Sequence, residues 1–130
     1  MINVNFLFNS NKYYIDSFLG DLEHALSNIV FSSPDLLVYK KDDMEIMINN
    51  FGTVSFKPTL NDVDELNEAI PSVLQEYKEL TKLSKRFSFE ESFKVTFPKD
   101  ITKEINHKLQ GLNSKLVTIP NSDYNSIVIN

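Results

Sequence analysis

The chain has 130 residues, is 42% apolar, carries a net charge of -5 and contains no cysteine; that is one domain's worth of core, with no room for two. The lack of thiols excludes a disulfide framework, thiol catalysis and a Cys-ligated zinc site, and no stretch is long enough to span a bilayer as a helix. Residues 1 to 77 hold 12 Asp and Glu against 4 Lys, a balance of -8, and residues 78 to 130 hold 6 against 9, a balance of +3, so the first half attracts cationic partners and repels nucleic acid.

In chain order, Ile2, Val4, Phe6 and Phe8 fall on one face of an extended segment, and no basic segment precedes a long apolar run, so the N-terminus reads as a strand rather than a signal peptide. Across residues 12 to 30, Ile15, Phe18, Leu19, Leu22, Ala25, Leu26 and Ile29 recur at helical spacing, which predicts one amphipathic helix ended by Ser32-Ser33-Pro34-Asp35. Leu36 to Tyr39, Met44 to Ile48 and Thr53 to Phe56 then read as three strands of an antiparallel meander, joined by Lys-Lys-Asp-Asp and Asn-Asn-Phe-Gly turns.

Residues 61 to 85 carry the longest helical pattern, with Asp62 and Glu65 spaced as a capping box and Lys78, Lys82, Lys85 and Arg86 gathered at the end. Pro71 removes an internal hydrogen bond, which predicts a kink or two shorter helices meeting at Ala69-Ile70. Phe87, Phe89, Phe93, Val95 and Phe97 alternate as the apolar face of a strand, interrupted at Glu90-Glu91. Pro98 opens a third helix on Ile101, Ile105 and Leu109, with Gly111 as a left-handed cap, and two strands close the chain at Lys115 to Ile119 and Ser126 to Ile129.

The order βα-βββ-α-βα-ββ, with no coil-rich linker, points to an α+β fold with a single mixed, mostly antiparallel sheet and about three helices. Residues 1 to 48 and 93 to 130 share the order strand, helix, hairpin. This is the pattern of a repeated βαββ unit, without residue-level identity between the copies.

The candidate functional residues are acidic. Asp62, Asp64, Glu65 and Glu68 place four carboxylates in seven residues, and Asp42, Asp43 and Glu45 add acid at a turn and strand start. Carboxylates in a first helical turn are stabilising on their own account. If the Lys-Lys-Asp-Asp turn lies near the start of the long helix, however, the two clusters form one patch suited to gripping a basic protein. Phe51, at a turn tip, and Tyr39 are the candidate anchors within that charged rim. Asp21 with His24 and Glu104 with His107 are spaced one helical turn apart, but both histidines fall on polar faces, so they read as surface histidines rather than metal ligands. The glycines Gly20, Gly52 and Gly111 are too far apart for a phosphate-cradling loop, and no serine sits in a nucleophile elbow. The aromatic stripe ending at Phe97 suits a core face better than base stacking.

These readings converge on a non-enzymatic, single-domain protein-binding inhibitor with no cofactor or metal. The leading expectation is a cytoplasmic bacterial immunity protein, a monomer or weak homodimer, whose acidic surface blocks the substrate site of a basic toxin such as a nuclease. The bias of 12 Lys to 1 Arg, 14 Asn and 2 Ala fits an AT-rich bacterial, phage or mobile-element genome. The alternatives are a phage or mobile-element anti-defence protein that mimics nucleic acid, and a small acidic secretion chaperone.

Overall fold

A computed structural model describes residues 2–9, 18–50, 52–83 and 92–129, with the backbone alone for Phe18, Gly20 and Asp21. The first strand is assigned in two pieces, β1 (Ile2–Asn3) and β2 (Asn5–Asn9). Both pair with one partner in one register, Ile2 opposite Leu60 and Phe6 opposite Phe56, so they act as a single strand. Val4, Phe6 and Phe8 are buried while Asn5 and Leu7 lie on the other face, as a period of two requires.

The helix expected over residues 12 to 30 is confined, among the described residues, to α1 (Phe18–Ala25), and the chain is already extended in β3 (Ile29–Ser32). Asn28, at a φ of 60°, sits in the left-handed region between them, and its carbonyl accepts from Lys40 N. The apolar spacing of Leu26 and Ile29 continues the helical period, so periodicity alone carried the helix past its end. β4 (Leu36–Lys41), β5 (Met44–Asn49) and β6 (Thr53–Leu60) form the expected meander, with β6 running four residues beyond Phe56 through Pro58.

A 3-10 turn (Val63–Glu65) leads into α2 (Leu66–Leu83), one continuous helix and not two pieces meeting at Ala69-Ile70. β7 (Phe93–Pro98), α3 (Thr102–Lys108), β8 (Ser114–Val117) and β9 (Tyr124–Ile129) complete the order. Gly111 is not a left-handed cap: it has no positive φ, and α3 closes through Leu109 at φ -97°. The expected strand positions Phe87 and Phe89, and the interruption at Glu90-Glu91, lie outside the described residues.

The strands form one antiparallel sheet in the order β3-β4-β5-β6-β2-β7-β9-β8, with β1 continuing β2 against β6. A repeat is visible in its connectivity. β2 is followed by α1 and a meander whose last strand, β6, returns beside it; β7 is followed by α3 and a hairpin whose last strand, β9, returns beside it. The two units meet where β2 pairs with β7. The first unit therefore runs through β6 rather than ending at residue 48.

Alternate residues of every central strand enter one core with Leu19 and Leu22 of α1, Leu66, Ala69, Val73 and Leu80 of α2, Ile105 of α3 and Leu109 at its C-terminal cap. All three helices thus cover the same face of the sheet. Phe8 stacks on Phe93 from the second unit with ring centroids 5.0 Å apart and on Tyr77 of α2 at 4.1 Å, and meets Phe56 edge-on at 5.5 Å. None of the helices among the described residues is long and apolar enough to cross a membrane.

Candidate functional site

The site begins at a tight turn. Lys41 pairs with Met44 across β4 and β5, leaving Asp42 and Asp43 as a two-residue connection. Asp42 takes a φ of 53°, a left-handed conformation that a short polar side chain tolerates. The Asp43 carbonyl accepts from Thr59 N at 3.1 Å, which ties the turn to β6. Leaving β6, the chain enters α2 through an N-cap: Asp62 Oδ1 accepts from Glu65 N at 3.1 Å, and Glu65 Oε2 accepts from Asn61 N at 3.0 Å. This is the reciprocal logic of the expected capping box, with the return bond one residue earlier.

Helix α2 then passes back over the meander and brings its acidic side to the turn. Between them lies an open groove of about 1080 Å³ lined by Asp42, Asp43, Glu65, Glu68, Glu76 and Glu79, with Lys41 as its one cation among the described residues. A smaller cavity of about 360 Å³, toward the end of α1, shares Lys41, Asp42, Glu76 and Glu79. Of the two acidic clusters, Asp42 and Asp43 of the turn and Glu65 and Glu68 of the helix start share this concavity, while Asp62, Asp64 and Glu45 are not part of its lining.

At its floor is a group that the sequence reading missed. Glu76 is 6% exposed; Oε1 accepts from the Tyr39 hydroxyl at 2.9 Å and Oε2 pairs with Lys41 Nζ at 3.2 Å. Burial, then the neighbouring Glu76 charge and its hydrogen bond, push the Tyr39 phenol well above its ordinary 10.0. The signal was present in the spacing: Glu76 falls three residues after Val73 and four before Leu80, on the stripe of α2 that faces the core. A carboxylate in that slot needs a polar partner on the facing strand.

The other expected site residues are dispersed. Asp62 is engaged as the cap, and Asp64 pairs with Lys108 Nζ at 2.8 Å, which lowers its carboxyl below the usual 3.8 through that hydrogen bond and charge. Glu45 lies on the opposite face of the sheet, between Lys40 and Lys57. Tyr39 is 2% exposed and held by Glu76, so it is part of the interior rather than an anchor for a partner. Phe51 lies outside the described residues. His24, Glu104 and His107 are exposed, and no cluster of three or more potential ligands is placed to hold a metal among the described residues.

Chemically, the groove offers carboxylates to ammonium or guanidinium groups. Glu79 is partly engaged by Gln75 at 3.0 Å and Lys82 at 3.5 Å, whereas Asp42, Asp43 and Glu68 make no ion pair within the described residues. No family model matches the chain, and no curated protein matches it significantly. Among solved structures it is similar to Methanococcus jannaschii TBP, with a TM-score of 0.42 and 13% identity over 99% of this chain and 86% of that one.

Proposed function

We propose that this protein is a non-enzymatic inhibitor that binds a basic protein, in the manner of an immunity protein neutralising a cationic, nuclease-type toxin inside a bacterial cell. The observation that carries the reading is the groove between the β4–β5 turn and α2, where, among the described residues, six carboxylates face a single lysine. A concavity of that sign raises the encounter rate with a cationic surface and penalises anionic competitors. A toxin that binds a polyanionic substrate presents such a surface at its active site. Seating the groove there excludes the substrate, with rim carboxylates steering and the Lys41–Glu76 bridge holding the floor rigid.

The test is association kinetics with the basic protein recovered on this chain from its source cell, followed by assay of that protein's activity. Reversing Asp42, Asp43, Glu65 and Glu68 to Lys is expected to slow association by at least tenfold, flatten its salt dependence and restore the partner's activity. Reversing Asp62 and Asp64, which are committed to the cap and to Lys108, is expected to have the smaller kinetic effect. An unchanged association rate in the four-residue variant, or recovery of no basic partner, overturns the reading.

A further inference from the structure

Of the seven large apolar side chains exposed among the described residues, four gather at one end of the sheet: Leu112, Leu116, Val117 and Tyr124. Leu112 lies in the turn that leads into β8, and Leu116 and Val117 belong to β8 itself. Leu116 is opposite the core residue Ile127 and so faces the helix side. Val117 is opposite Ser126 and faces the other side, as does Tyr124, two residues before Ser126 on β9. β8 is the last strand in sheet order and pairs with β9 alone. Alternate N–H and C=O groups along its outer side therefore have no ladder partner among the described strands.

The opposite edge, β3, also exposes apolar groups, Val30 and Phe31, but its register against β4 shifts between Ile29 and Phe31. A bulge there bends the strand and spoils it as a template for pairing. β8 holds one unbroken register from Ser114 to Val117. Charge separates the two edges as well. Residues 93 to 129 hold 5 Lys against 3 Asp and Glu, a balance of +2, which leaves -7 for the rest of the chain. Pairing two copies through β3 would bring two acidic units together, whereas pairing through β8 keeps them at the far ends.

We propose that β8 is the docking edge for a second copy of this chain, paired antiparallel to itself about a two-fold axis perpendicular to the sheet. Residues directly opposite one another share a face, so two registers are centred on this strand. One sets Lys115 against its own counterpart, and like charges directly opposite are destabilising. The other sets Leu116 against its counterpart and Lys115 against Val117, whose apolar surface the lysine stem covers while the ammonium stays in water. Lys115 thus selects the register instead of blocking the edge. Leu112 adds apolar surface beside the ladder, as does Tyr124 on the far face, and the helices of both copies stay on one side of a continuous sheet. A ladder of four residues spans only about 13 Å, so the dimer is weak. The inference does not rest on the groove, which β8 does not line.

Because the chain has no cysteine, the register can be read by cross-linking. Opposite Cα atoms of an antiparallel pair are about 4.5 to 5.5 Å apart, within disulfide reach. L116C, oxidised at about 0.1 mM, is expected to give a disulfide-linked dimer, with K115C and V30C at least tenfold less efficient. Sedimentation velocity of the native chain is expected to show a monomer at about 1 µM and a dimer toward about 0.5 mM. Association is expected to strengthen severalfold between about 50 and 500 mM salt, as repulsion between two anionic chains is screened. L116K, with circular dichroism melting to check its fold, is expected to weaken association at least tenfold. A monomer at every concentration, equal cross-linking of the three cysteine variants, or unchanged association of L116K would each overturn the proposal. So would oligomers that grow without limit, or a dimer that salt weakens, since either would mean that an acidic unit meets a basic one.

Discussion

Glu76 occupies a position that the helical period assigns to the core, and the structure satisfies it from both sides, with Tyr39 on one oxygen and Lys41 on the other. Replacing Tyr39 by Phe leaves a buried carboxylate with one partner. The expected cost is about 1.5 to 3 kcal/mol, the range for a hydrogen bond to a charged group, read by urea denaturation at neutral pH. The pH dependence has a definite sign. The unfolded chain releases the Tyr39 proton from pH 10.0 upward while the folded chain retains it, so above that pH the unfolded state binds fewer protons and stability falls. Below pH 10.0 the contribution is constant. The stability gap between the native protein and Tyr39→Phe is therefore expected to narrow as pH rises above 10.0, and a constant gap up to about pH 11 would show that the phenol is not protected by folding.

At the scale of elements, α2 carries the clearest sequence signals and two of its local energies can be measured. Asp62→Ala removes the acceptor for Glu65 N and is expected to cost about 1 kcal/mol. Pro71 is exposed within α2 and leaves the carbonyl of Asn67 without its helical donor. Pro71→Ala is expected to stabilise by about 2 to 3 kcal/mol: an interior proline costs about 3 kcal/mol, offset by up to about 1 kcal/mol because it also restricts the unfolded chain. A destabilised Pro71→Ala variant would mean that the proline's packing outweighs the lost bond. The caps and the period of α2 are local properties and were readable. The end of α1 was not, because Leu26 and Ile29 keep the helical spacing while pairing with β4 draws Ile29 opposite Tyr39 into a strand. Long-range ladder bonds there outweighed local propensity.

For the whole molecule, the junction between the two units is the β2–β7 ladder and the aromatic cluster around Phe8. Phe8 is fully buried, so Phe8→Ala is expected to cost about 3 to 5 kcal/mol. Because Phe8 touches strands of both units and α2, the chain is expected to unfold as one cooperative body, with circular dichroism and tyrosine fluorescence giving coincident urea transitions. Separate transitions would show the units to be independent. Lys108 to Asp64 ties α3 of the second unit to the 3-10 turn at the start of α2, the helix that connects the units, through residues 44 positions apart in sequence.

Side-chain periods, turn chemistry and helix caps depend on neighbours a few residues away, and for that reason the α+β class, the antiparallel meander, the start of α2 and the core faces of β2 and β7 were legible in the sequence by itself. The sequence also determined the amount of charge and its division along the chain. Where that charge goes in space depends on which strands pair and on which face the helices pack, and these are settled by burial of the whole apolar set at once. The tertiary structure alone therefore decided that Asp42 and Asp43 join Glu65 and Glu68 in one groove, that Asp64 is drawn away to Lys108, and that Glu45 is carried to the opposite face between Lys40 and Lys57.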